Sequence, residues 1–78
     1  MSAAEAQEVK NLLLQSDDTY RQLANRHQEL DTRLHELSEK HYLSTNEQFE
    51  EVTLKKRKLA LKDQMERIAR QFRSNGAS

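Results

Sequence analysis

Three histidines and one run of four cations are the residues in this chain whose types could do chemistry. Imidazole is the commonest transition-metal ligand, so His27, His35 and His41 raise the question of a metal site. Helical histidine pairs bind a metal from i,i+4 positions on one face, and none of the three stands in that relation to another. No metal is expected, and two of the three find a simpler role below. Lys55-Lys56-Arg57-Lys58, with Lys62 and Arg67 further on, could contact phosphates and release counterions. Four consecutive helical residues project over about 300° of the cylinder, however, and no stacking aromatic lies near the run to hold a base. Nucleophilic catalysis has less to build on: there is no cysteine, no glycine-rich loop, and no serine on a strained turn beside a histidine and an acid. No catalytic residue and no cofactor is expected, and the chain reads as a non-enzyme.

Charge and length sharpen that reading. The 13 basic and 13 acidic residues cancel, so the whole molecule has no long-range field to draw it to nucleic acid or an anionic surface. The charge is divided internally: residues 1–46 hold five bases and eight acids, and residues 47–78 hold eight bases and five acids. Two packed halves of net −3 and +3 neutralise each other, which is the plainest use for the basic run. At 78 residues a lone core rarely supplies more than about 3 to 5 kcal/mol, and without cysteine the remaining staple is oligomerisation. The longest aliphatic run is Leu12-Leu13-Leu14, far short of a membrane span. The first residues carry neither a basic segment nor an apolar one, so cytoplasmic localisation without membrane insertion is expected.

The elements that must position these residues are helical. From Val9 to His41 a 4-3 spacing persists for five heptads, with Leu13, Tyr20, His27, Leu34 and His41 at a and Val9, Ser16, Leu23, Leu30 and Leu37 at d. Seven of these ten sites are apolar or aromatic, and His27 and His41 read as polar layers in the seam. Helix formers continue on both sides, predicting a first helix over about 3–40. Ser16-Asp17-Asp18-Thr19 is a cluster of cap-type residues, yet the heptad passes through it in register and an Asp17 to Arg21 pair supports continuity. A turn follows over about 41–46. Ser44-Thr45-Asn46-Glu47 has the pattern of a capping box, which starts a second helix over about 45–73, with a disordered tail at 74–78 after the Ser74-Asn75-Gly76 stop.

Two long helices joined by so short a connection form an antiparallel hairpin. Because the first is longer, the segment holding Leu12 to Leu14 is expected to overhang without an intramolecular partner. On the second helix, Leu54, Leu61, Met65, Ile68 and Phe72 share one face while Phe49, Val52 and Leu59 lie nearly opposite. One hairpin can cover only one of those faces. The expected self-association surface is therefore Leu12, Leu13, Tyr20, Leu23, Leu30, Leu34, Leu37, Phe49, Val52 and Leu59, giving a dimer or four-helix bundle.

The order of motifs resembles a known family. A Leu-Leu pair, Asp17-x-x-Tyr20-x-x-Leu23-x-x-x-His27-x-x-Leu30-Asp31, a Ser-x-x-Glu turn and Leu54-Lys55-Lys56-Arg57-Lys58-Leu59-Ala60-Leu61-Lys62-Asp63 are together similar to the YdcH-like proteins over residues 12–70. The resemblance implies a short bacterial helical hairpin, from a family whose biochemical role is uncharacterised. Tyr20 stands where the family usually has phenylalanine, and Leu34 where isoleucine is common.

The expectation is thus an all-α, coiled-coil-like helical hairpin that is a single domain and serves as an interaction or adaptor module, its partners being itself and an unidentified protein. The alternative is a nucleic-acid-associated protein that uses Lys55, Lys56, Arg57, Lys58, Lys62 and Arg67.

Overall fold

A computed structural model describes residues 3–76 of the chain. These residues form three helices, α1 (Ala3–Ser16), α2 (Asp18–Ser38) and α3 (Thr45–Gly76), and no strand. The expected single helix over 3–40 is therefore two helices. The heptad continues across Asp17, but local hydrogen bonding favours a break there. Asp17 takes an extended conformation (φ −122°, ψ 109°), and its carboxylate accepts the Tyr20 backbone N–H at 2.8 Å, making it the N-cap of α2.

The other side of the break is satisfied as well. Arg21 donates from Nε to the Leu14 carbonyl at 2.9 Å and from its guanidinium to the Gln15 carbonyl at 3.4 Å, supplying partners to the end of α1. Its ion pair is with Asp18 at 3.2 Å, one residue on from the Asp17 pairing that the sequence suggested. Asp17 N–H still reaches the Leu13 carbonyl and Arg21 N–H the Asp17 carbonyl, at 2.9 and 3.0 Å. Asp17 thus interrupts the helix while these backbone groups on either side of it keep partners.

The interruption alters what the leucines do. α1 packs on both α2 and α3, so Leu12 to Leu14 are not an overhang. Leu13 is 2% exposed and Leu14 half-buried, while Leu12 faces solvent. The seam otherwise turns inward as read: Tyr20 and Leu37 are buried, and Val9, Leu23, His27, Leu30 and Leu34 are half-buried. Ser16 and His41 are exposed, the first beside the break and the second beyond the end of α2 at Ser38.

The capping box that starts α3 is complete. Ser44 Oγ accepts the Glu47 N–H at 3.1 Å and Glu47 returns a carboxylate oxygen to the Ser44 N–H at 3.0 Å. Lys40 pairs with the same carboxylate from the start of the connection. Lys40 and the box hold the Glu47 carboxyl at about 2, below its ordinary 4.5. Its contribution to stability is complete above about pH 4.5 and is lost as the pH falls towards 2. Ser44→Ala should lower stability by about 0.5 to 2 kcal/mol, because the Glu47 N–H loses its acceptor. Urea melts at pH 7 measure this, and an unchanged midpoint would move the start of α3 away from Ser44.

α3 then runs 32 residues, about 48 Å at the usual rise, and sets the long dimension of a molecule 51 × 20 × 19 Å. It continues through Ser74 and Asn75 to Gly76, so the helix outlasts the expected end near residue 73, and no described residue has a positive φ. The remainder of the expected tail, residues 77–78, lies outside the described residues. Leu54 completes the buried set, with Leu61, Met65, Ile68 and Phe72 half-buried along the same side of α3.

Candidate interaction surface

Since α2 and α1 pack on one side of α3, its opposite side keeps whatever apolar residues the sequence placed there. Phe49 is 74% exposed, Val52 51% and Leu59 61%, while Leu54 on the opposite face is buried. This is the two-faced helix that the wheel predicts. Single exposed apolar residues are ordinary, but three on one face of one helix make a stripe. Leu12 is 46% exposed on α1, and Tyr42, in the connection just before α3, is 91% exposed. Nothing in the spacing singles out Tyr42, since it belongs to no helix.

The other residues expected to mediate self-association are used within the chain. Leu13, Tyr20 and Leu37 are buried, and Leu23, Leu30 and Leu34 are half-buried. Their apolar area faces the chain's own helices. Only Leu12, Phe49, Val52 and Leu59 of the ten are exposed to meet another molecule.

The basic residues do not form one surface. Lys55, Lys58 and Lys62 line an open groove of ≈ 870 Å³ between α2 and α3, opposite His27, Asp31 and His35. Arg57 lines a different groove with Arg26 and Glu29, and Lys56 and Arg67 are exposed elsewhere on the helix. Within the first groove Lys58 pairs with Asp31 across the two helices, and Lys55 lies 3.7 Å from Glu51. The Lys58 contact draws the Asp31 carboxyl below its usual range. Two of the three groove lysines are thus engaged by acids, in the manner of internal neutralisation.

A second bridge between the helices is not apparent from spacing. Arg33 grips Glu50 with two bonds, Nε at 2.8 Å and Nη2 at 2.9 Å, and also donates to Glu36 at 3.1 Å. The planar fork matches the carboxylate, so this pair fixes the rotation of α3 against α2, and with it the direction in which the stripe faces. The guanidinium correspondingly pushes the Glu50 carboxyl down. A pairing rule based on i,i+4 spacing ranks only neighbours on one helix and does not reach Glu50. His35 pairs with Glu39, four residues on, at 3.0 Å. No group of three or more His, Cys, Asp or Glu among the described residues is arranged to hold a metal ion.

His27 is half-buried in the groove, where burial lowers its proton affinity below the ordinary histidine value. Lys58, Lys10 and Lys62 push in the same direction, and Asp31 opposes them. A lowered pKa means that the unfolded chain binds the proton more readily. The stability from neutral His27 is therefore complete above about pH 6.5 and is lost as the pH falls through the folded value. Urea midpoints at about pH 8 and pH 5.5 should show a larger acid loss for wild type than for His27→Leu. Equal losses would place the pH response elsewhere.

A family model described as a protein of unknown function (DUF465) matches residues 21–69. That span includes most of α2 and α3 and agrees with the YdcH-like resemblance. No curated protein and no solved structure matches the chain. No helix among the described residues is long and apolar enough to cross a membrane.

Proposed function

We propose that this chain, which belongs to the DUF465 family of proteins of unknown function, is a non-enzymatic interaction module that docks a second helix on the outer face of α3. One observation carries the reading: Phe49, Val52 and Leu59 stand exposed along α3, opposite the buried Leu54, with Leu59 at the lip of the groove against α2. Their transfer out of water is worth about 25 cal/mol per Å² of apolar area, and no described helix of the same chain covers them. A partner helix with its own apolar stripe supplies the cover, in the groove-free, helix-on-helix manner of bundles. The docked helix comes from a second copy or from another protein, and the module acts by holding it.

Nucleic-acid binding through the basic residues is the competing reading, and the shared groove of Lys55, Lys58 and Lys62 is its best support. Capture from a lysate of the source cell separates the two, using wild type, Phe49→Glu and the double variant Lys55→Glu/Lys62→Glu as baits, each with and without nuclease. Docking on α3 predicts a protein captured by wild type that survives nuclease and is lost with Phe49→Glu. Capture that nuclease abolishes, and that the lysine variant loses while Phe49→Glu keeps it, would overturn docking in favour of nucleic acid.

A further inference from the structure

Resting on the docking reading above, the spacing on α3 also identifies the occupant. Phe49, Val52, Lys56, Leu59 and Asp63 follow one another at intervals of three, four, three and four, the spacing that keeps a seam against a neighbouring helix. The molecule exposes 6174 Å². A compact monomer of 9.2 kDa would expose about 4,900 Å². The elongated shape accounts for part of this surplus of about 1,200 Å², and what is left is of the order of the roughly 800 Å² that each partner contributes to a standard interface.

We infer that the occupant is a second copy of this chain, its α3 running antiparallel to the first across a two-fold axis near residue 54. Such a pairing is self-complementary in one register. With Phe49 opposite the partner's Leu59, Leu59 meets the partner's Phe49, and Val52 lies against the methylene stem of the partner's Lys56. All six apolar side chains of the two stripes, three from each copy, then fall within the overlap. Centring the pairing on Leu59 instead would set Val52 against the partner's Glu66, and a parallel pairing would set Lys56 on Lys56 and Asp63 on Asp63. Both leave charge facing apolar surface or like charge.

Charge at the axis is consistent with the antiparallel register. It brings the two copies of Lys55 near each other, but each already has Glu51 of its own helix at 3.7 Å. Across the axis each Lys55 also comes opposite the partner's Glu51, acid to base. The same register carries the partner's α3 past the connection that holds Tyr42, the most exposed of the large apolar residues.

The chain has no cysteine, so single thiols report the register cleanly. Thr53 and Ala60 are both exposed on the same flank of the stripe. In the antiparallel register Thr53 lies beside its own copy, whereas Ala60 is about 18 Å from its copy along the axis. Sedimentation equilibrium at about 100 μM should give the dimer mass. A short bis-maleimide should cross-link Thr53→Cys and not Ala60→Cys. Leu59→Glu should raise the dissociation constant roughly 100-fold at unchanged helix content, because Leu59 is exposed within one chain. A monomer at that concentration overturns the second copy as occupant, and a wild-type monomer that still loses a captured protein on Phe49→Glu leaves the docking reading standing. Equal cross-linking at both positions overturns the antiparallel register.

Discussion

Leu37→Ala should remove about 2 to 5 kcal/mol of stability, enough to unfold most of the population at 25 °C. Leu37 is 1% exposed, at the end of α2 where the chain turns into the connection to α3. Deleting its three terminal carbons both loses their transfer free energy and opens a cavity that the two helices can close only by shifting. Arg33 resists that shift, since its two bonds to Glu50 hold α3 in place one turn away. A domain of this size has about 3 to 5 kcal/mol in hand, so the loss matches the whole margin. Urea or thermal melts followed by far-UV ellipticity measure it. Leu12→Ala is the control, because Leu12 is 46% exposed and its truncation removes little buried area. A Leu37→Ala midpoint as mild as that of Leu12→Ala would mean that the α2–α3 contact does not hold the fold.

Most of this architecture is legible in the residues because it depends on periodicity and on one local motif. The a and d positions select the face of α2 that turns inward, with Leu23, Leu30, Leu34 and Leu37 covered as the heptad requires. The Ser44 to Glu47 box locates the start of α3 because both of its bonds are local. The break at Asp17 was readable only as a possibility. A heptad describes side-chain positions and does not register the backbone competition between continuing the ladder and capping Tyr20 N–H. Once the break is made, Arg21 satisfies the end of α1 by reaching carbonyls six and seven residues back. Contacts of that reach follow from the bend itself and have no signature before it.

The candidate surface divides in the same way. Phe49, Val52 and Leu59 could be placed opposite Leu54 from angle alone, and they are exposed. Leu13, Tyr20 and Leu37 carry the same apolar pattern but are buried within the chain, because a seam looks alike whether its partner is the second helix of the hairpin or a second molecule. The lysines show the limit for charge. Helical angle alone divides positions 55–58 among different sides, and they do line different grooves, but the pairing of Lys58 with Asp31 across the two helices has no signature in spacing.

The docking of α1 is the feature most at odds with periodicity, and Leu13→Ala tests it. α1 has 14 residues, a length at which an isolated helix is marginal in water, so its order depends on what it packs against. Leu13 is the only buried residue of α1, at 2% exposure, and the loss of about 2 to 5 kcal/mol typical of such a truncation exceeds what the rest of so short a helix can offset. The expected result is release of α1 with α2 and α3 still paired. Far-UV ellipticity should fall by about a fifth, the share of helical residues in α1, and amide exchange should become fast over residues 3–16 while Leu37 and Leu54 stay protected. Asp17→Ala separates docking from the break that permits it. Without the cap, α1 and α2 are free to join as the one continuous helix that the heptad describes, which would keep the ellipticity and still withdraw Leu13 from its buried position. Ellipticity retained with fast exchange around Leu13 would be that outcome. Protection of residues 3–16 unchanged in Leu13→Ala would show that α1 is held by something other than this leucine.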